Sequence, residues 1–185
     1  MSEKLYAEKA EKLFREGYNC SQAVVLAFSD LTGLDKNTAA RLSSSFGGGF
    51  GRLREVCGAF SGISLVLGLL CGYGETDNPE RKKEHYALIQ EAAKRFREKN
   101  GSIICRELLS GVETSGGGVP EPRTPDFYKK RPCAGIVSSA AEITAGILIE
   151  KGLLRKYENQ EDYYKNRTVD EIFEDFYSDE WKEVK

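Results

Sequence analysis

Apolar positions recur at helical spacing along most of the chain, and nowhere do they alternate as they would in a half-buried strand. Tyr6, Ala10, Leu13 and Phe14 form the first stripe, closed by Gly17. Asn19 followed by Gln22 has the form of a capping box and opens a second helix through Ala23, Val24, Ala27, Phe28 and Leu31. A third helix is predicted from about Asp35 to Phe46, carrying Ala39 and Leu42. The run Gly47-Gly48-Gly49-Phe50-Gly51 reads as a loop. After it comes a nearly uncharged helix from about Glu55 to Leu70, ended by Gly72 and Gly74. It is apolar almost all round, which predicts the central helix of the domain.

Pro79 opens a charged helix whose stripe is Tyr86, Ile89, Ala93 and Phe96, stopped by Asn100-Gly101. A short helix over Ser102–Leu109 follows. Residues 112–131 read as a long irregular loop, of a length that suggests a function. Pro132 then sits in the first turn of another apolar helix through Ile149. With no internal repeat and no βαβ rhythm, the expected fold is all-α, a helical bundle around a central Gly/Ala/Ser-rich helix. The expected organisation is a four-cysteine domain over residues 1–156 and an acidic aromatic tail over 157–185. Val169, Ile172, Phe173 and Phe176 give that tail one apolar helical face, expected to dock on the domain.

Composition adds less than pattern. The chain of 185 residues is 40% hydrophobic and 30% charged, a globular balance with enough residues for a real core. A formal charge of -2 offers no general attraction to nucleic acid or to acidic membranes. Charge is unevenly spread: residues 157–185 are net -6, leaving residues 1–156 net +4. The amphipathic first 30 residues do not form a signal peptide, and no apolar run of 18 residues is expected to insert into a membrane. A cytoplasmic location is expected.

An odd count of five cysteines argues against a secreted disulfide framework. Their spacing contains no C-x-x-C, so it is a weak metal signal by itself. Position along the helices says more. Cys20 follows the Asn19 cap, Cys57 lies in the first turn after the glycine loop, Cys105 lies three residues beyond Ser102, and Cys133 follows Pro132. A helix start favours thiolate, so these four are expected to have lowered pKa values, helped by the adjacent Arg54, Arg106 and Arg131. Cys71 ends its helix and is expected to be an inert packing residue, the least acidic of the five. Fourteen residues of helix also separate it from Cys57 by roughly 21 Å, too far for one shared site.

Cys57-Gly58-Ala59-Phe60-Ser61-Gly62 fits C-G-A-x-x-G, flanked by single cysteines at Cys20, Cys105 and Cys133. With Asn19-Cys20-Ser21-Gln22-Ala23 and the stretch from Phe46 to Gly51, this resembles the C_GCAxxG_C_C family of redox-active proteins over roughly residues 5–155. The resemblance selects Cys20, Cys57, Cys105 and Cys133 as the catalytic, cofactor-binding or metal-ligating residues and leaves Cys71 without a counterpart. The pattern is also similar to part of the split-Soret cytochromes, which carry an iron–sulfur centre beside haem. What the resemblance implies is a thiol/disulfide couple or a cysteine-ligated iron–sulfur or other metal centre that passes electrons to a redox protein partner. The alternative is a non-enzymatic binding module with structural cysteines or zinc. Haem is not expected: C-x-x-C-H is absent, and His85, the single histidine, lies on a charged helix where a solvated position is expected. A homodimer is left open by the sequence.

Gly58 and Gly62 are four apart, one small helix face, and the small residues Ala134, Gly135, Ser138, Ser139 and Ala141 offer a matching face that would bring Cys57 to Cys133. The glycine loop ending in Arg52 serves either backbone geometry, which is favoured, or an anion site. A dinucleotide fold is not expected, because no strand precedes the loop. A Cys-His nucleophile is not expected either, since only His85 could serve it.

Overall fold

The computed structural model describes residues 2–74 and 76–154. Among them are nine α-helices, one 3-10 turn and no strand, so the fold is all-α as the apolar pattern requires. The helices are α1 (Ser2–Arg15), α2 (Cys20–Ala27), α3 (Ser29–Thr32), α4 (Lys36–Ser43), α5 (Gly58–Cys71), α6 (Pro79–Asn100), α7 (Cys105–Leu108), α8 (Pro125–Lys130) and α9 (Cys133–Glu150). The tail face of Val169, Ile172, Phe173 and Phe176 lies outside the described residues.

The capping box before α2 forms as its sequence predicts. Asn19 Oδ1 accepts from the N–H groups of Ser21 and Gln22, and Gln22 Oε1 accepts from the Asn19 N–H at 3.0 Å. That arrangement satisfies amides that would otherwise have no partner, worth about 1 kcal/mol. Asp35 caps α4 in the same way, accepting from Asn37 and Thr38. Pro79 and Gly101 bound α6 at the predicted ends.

Several boundaries differ from the expected ones. The second helix breaks at Phe28, whose backbone leaves helical geometry before α3 begins. The helix expected from Glu55 starts at Gly58, because residues 55–57 pair with 103–105 instead. The supposed loop 112–131 contains α8, with Pro125 at its first position and Thr124 as its cap. On α6 the buried residues are Ala92, Ala93 and Phe96, whereas Tyr86 is exposed.

α2 is enclosed most completely, with Ala23 to Phe28 all fully buried. α9 packs on α1, α2, α5 and α6, and α5 packs on α2, α6 and α9. The α5 helix thus takes the central place expected of the apolar helix, with α2 and α9 packed against it. α9 also corrects the expectation that no apolar run reaches membrane length: it has 18 residues and a mean hydropathy of 1.4, long and apolar enough by those measures to cross one. In the fold, Ala134, Ile136, Val137, Ala140, Ala141, Ala145, Ile147 and Leu148 of this helix are core residues.

The small face of α5 meets a different partner from the one expected. A Cβ at Gly58 would stand 2.6 Å from the Phe46 carbonyl oxygen and 3.2 Å from Cys20 Sγ. One at Gly62 would stand 2.7 Å from Val24 Cβ. The two glycines thus admit α2 and its approach, not α9, and they carry Cys57 toward Cys20.

A candidate four-thiol site

Cys20, Cys105 and Cys133 are the first residues of α2, α7 and α9, and Cys57 is the cap residue of α5. Four segments distant in sequence bring these four thiols to the lining of one cavity of about 290 Å³. Cys57 and Cys105 are buried, whereas Cys20 and Cys133 are half-buried. Cys71 is also half-buried but does not line the cavity; its neighbour in charge is Lys151 at the end of α9.

Backbone pairing joins the segments that carry Cys57 and Cys105. Val56 and Ile104 form an isolated antiparallel bridge. Around it the Cys57 N–H donates to the Ile103 carbonyl at 2.8 Å, and the Cys105 N–H to the Glu55 carbonyl at 2.6 Å. The glycine loop closes against this pair: a Cβ at Gly49 would stand 2.8 Å from Cys105 Cβ. Asn19 joins the loop to α2, its Nδ2 donating to the Ser44 carbonyl at 2.9 Å, and a Cβ at Gly47 would collide with that side chain.

The loop itself follows a left-handed path. Gly48, Gly49, Phe50, Gly51 and Arg52 have φ values from 55° to 73°, and Arg54 has 62°. Glycine adopts this region freely, but Phe50, Arg52 and Arg54 each bear a cost of roughly 1–2 kcal/mol there. The favoured reading of the glycines as a geometric requirement thus fits the backbone. The strained turn also aims two guanidinium groups inward. Arg54 lies near enough to Cys105 to favour its thiolate, and both Arg52 and Arg54 approach Glu121, at 3.5 and 3.8 Å.

The opposite wall comes from the segment that the sequence left irregular. Arg52 fastens it, donating to the Gly117 carbonyl and to Ser115. Glu121 accepts from Arg131 at 2.5 Å and from the Ser115 N–H and Oγ. Burial works against the Glu121 charge, but Ser115 and Arg131 outweigh it and hold the carboxyl below its usual range. Arg123 lies over the rings of Phe14 and Phe127 at 4.4 and 4.8 Å, and one of its nitrogens donates to the Tyr18 carbonyl. Four arginines and one carboxylate therefore share the cavity with the four thiols. Arg52 and Arg131 stand in sequence beside elements already suspected. Arg123 and Glu121 escaped notice; charged residues inside a Gly/Pro loop were the available signal.

Cys57, Cys105 and Cys133 do not show the lowered pKa values expected of helix starts. Burial raises Cys57, against the opposing pull of the nearby Ala59 and Phe60 amides, and Cys20 raises it further. Burial is again the first cause for Cys133, pushed up to about 12, with Cys20 and Cys105 adding to it and Arg131 and Arg123 opposing it. Cys105 is raised by burial and Cys20, with Arg54 and Arg131 in opposition. Desolvation of a thiolate outweighs the pull of a helix terminus and its amides. Cys71 is raised too, by burial, but without the large displacement of Cys57 and Cys133, so it is not the least acidic of the five.

Two other expectations change. Arg106 turns away from the cavity and pairs with Glu55 at 2.7 Å. His85 is half-buried rather than solvated, edge-on to Tyr73 with ring centres 5.9 Å apart, and it does not line the cavity. Among the described residues no three His, Cys, Asp or Glu side chains converge closely enough to hold one metal ion.

The protein is thus an all-α protein whose helix starts bring four cysteines to one arginine-lined cavity. The chain belongs to the C_GCAxxG_C_C family: the family model described as "Putative redox-active protein (C_GCAxxG_C_C)" matches residues 18–147, a span holding all four cavity cysteines. Comparisons with curated proteins and with solved structures find no match.

Proposed function

We propose that the chain is a thiol redox protein in which Cys20, Cys57, Cys105 and Cys133 form one centre. The observation that carries this reading is their common cavity, reached by four segments far apart in sequence. On oxidation two S–H bonds break and one S–S bond joins Cys20 to a neighbour, while two electrons and two protons pass to the acceptor. Arg54 and Arg131 steady negative charge on Cys105 and Cys133 during exchange, and the Ala59 and Phe60 amides do so for Cys57. A thiol or dithiol partner reduces the centre again, entering at the half-buried Cys20 or Cys133, since Cys57 and Cys105 are too enclosed for another protein's sulfur. Five unpaired thiols suit a reducing compartment, the cytoplasm.

The test is thiol counting on reduced, anaerobic protein treated with one equivalent of a neutral oxidant such as diamide. The expected product has lost two of the four cavity thiols and retains Cys71. A disulfide between chains through Cys71, with all four cavity thiols intact, would sink the reading.

A second reading rests on the same wall: a cysteine-ligated iron–sulfur cluster. Four thiolates are its usual ligand set, and an assembly of that kind carries net negative charge that the arginines offset. A single zinc suits the arrangement less well, because no three donors converge on one point. Cys20, Cys57, Cys105 and Cys133 would hold the cluster, which would supply one-electron transfer. Visible absorption and stoichiometric iron in anaerobically purified protein would favour it; colourless, metal-free protein would not.

A further inference from the structure

We infer that the cavity is a receptor for a compact, multiply charged oxyanion, which is the electron acceptor of the thiols; the inference rests on the thiol/disulfide reading. The wall carries four guanidinium groups against one carboxylate. The thiols do not restore the balance, since Cys57, Cys105 and Cys133 are all shifted toward their neutral form. The site is therefore cationic when nothing is bound.

The hydrogen bonds show where an anion is missing. Glu121 engages Arg131 and lies 3.5 Å from Arg52. It does not reach the other two guanidinium groups as a hydrogen-bond acceptor. Arg54 Nη2 and Arg123 Nη1 are both buried and have no hydrogen-bond partner. Stacking on Phe14 and Phe127 fixes the plane of Arg123 without using its N–H groups. Buried guanidinium nitrogens ordinarily find acceptors. Here two of them belong to residues that line one cavity, and among the described residues the only carboxylate near Arg54 Nη2 is Glu121 at 3.8 Å, too long for a hydrogen bond.

Three helices of eight residues or more, α2, α5 and α9, also begin at this cavity, and their positive ends favour the same sign of guest. A volume of about 290 Å³ lies at the low end for ligand pockets, which suits a tetrahedral oxyanion better than a nucleotide.

An oxyanion held there lies beside the thiols. With a reducible central atom it reacts by a balanced two-electron route. One thiol sulfur bonds to the central atom, and one oxygen leaves as water. The second thiol then attacks the first sulfur, the S–S bond forms, and the central atom departs with the electron pair. Overall two thiols and HXO4 dianion give one disulfide, HXO3 dianion and one water.

Calorimetric titration of the reduced full chain with sulfate, at constant ionic strength set by chloride, tests the receptor without redox chemistry. Saturable binding is expected. Arg54→Gln and Arg123→Gln should each weaken it at least tenfold, whereas Arg106→Gln, outside the cavity, should leave it unchanged. Circular dichroism confirms that each variant is folded, and the two arginines lie on separate elements, so failure of one variant to fold leaves the other decisive. No sulfate binding beyond the chloride control, or equal binding by both folded cavity variants, overturns the inference.

Arsenate serves as the reducible probe. One disulfide per arsenite formed is expected in the wild type and none in Cys20→Ser; arsenate that binds without loss of thiols overturns the acceptor role. Diamide-driven disulfide formation in protein that binds no sulfate overturns the receptor while leaving the thiol reading intact. Failure of the thiol reading shows separately, as cavity thiols inert to diamide.

Discussion

The two ends of α5 carry a cysteine each and share almost nothing else. At the first, Cys57 is buried and lines a cavity with three more cysteines and four arginines. At the last, Cys71 is half-buried, and Leu69 beside it is exposed. Burial raises both thiols, so acidity alone does not separate a working cysteine from a packing one. What separates them is company: one sulfur has other sulfurs and fixed cations around it. The glycines follow the same division. Gly58 and Gly62 press against Phe46, Cys20 and Val24, whereas nothing lies within 4 Å of a Cβ placed on Gly68.

The largest expected effect comes from exchanging the two cysteines for serine. Cys71→Ser should retain the full loss of two thiols on oxidation. Cys57→Ser should change that reaction's rate or product, read by peptide mapping of the disulfide. An identical response from both variants would erase the distinction between the two ends.

Glycine substitutions test the packing half of the comparison. Gly62→Ala forces Val24 aside, and overpacking of that kind costs about 1–3 kcal/mol. Gly68→Ala meets open space in a helix and should stabilise by about 0.5–1 kcal/mol. Urea unfolding of the two variants gives both signs in one experiment, and destabilisation by both would refute the asymmetry.

Alkaline pH gives the next effect. Cys133 has its folded pKa raised from an ordinary 9.0 to about 12, so the stability it contributes is complete below 9 and is lost as pH climbs toward 12. The reduced protein should therefore lose about 1.4 kcal/mol per pH unit for this thiol across that window. Unfolding measured from pH 8 to 11 checks it. Cys133→Ala should flatten the slope, and Cys71→Ala should flatten it less, because its pKa is less displaced.

The smallest effect concerns the strained turn. Phe50→Gly removes a left-handed phenylalanine, a gain of roughly 1 kcal/mol, but also its edge-on contact with Phe46, 4.9 Å between ring centres. The net change in melting temperature should be within a few degrees. A large loss would mean that the ring contact, not the backbone, governs this loop.

Much of this was legible in the sequence. The Asn19 and Gln22 pair specified its own cap, Pro79 and Gly101 fixed the ends of α6, and the hexapeptide from Cys57 to Gly62 marked the site. Those signals are local, and local chemistry determines them. The pairing of small faces was not legible, because glycines four residues apart define a face without naming the helix that fills it. Arg123 was invisible for a similar reason: its value comes from Phe14, over a hundred residues away, and no spacing rule reports that distance. The lowered thiol pKa values failed because a helix start can be inferred from sequence, but the depth to which it is buried depends on everything packed around it.

The scatter of the four cysteines also bears on how the chain acquires its site. Cys20 and Cys133 are separated by more than a hundred residues, and each sulfur is delivered by a different helix start. Contacts so distant in sequence close late, after the local helices have formed, because each long loop must first be ordered. During synthesis the first thiols leave the ribosome well before their partners exist. The centre is therefore a property of the completed fold, and oxidant present before α9 docks would trap pairings that the finished cavity never makes.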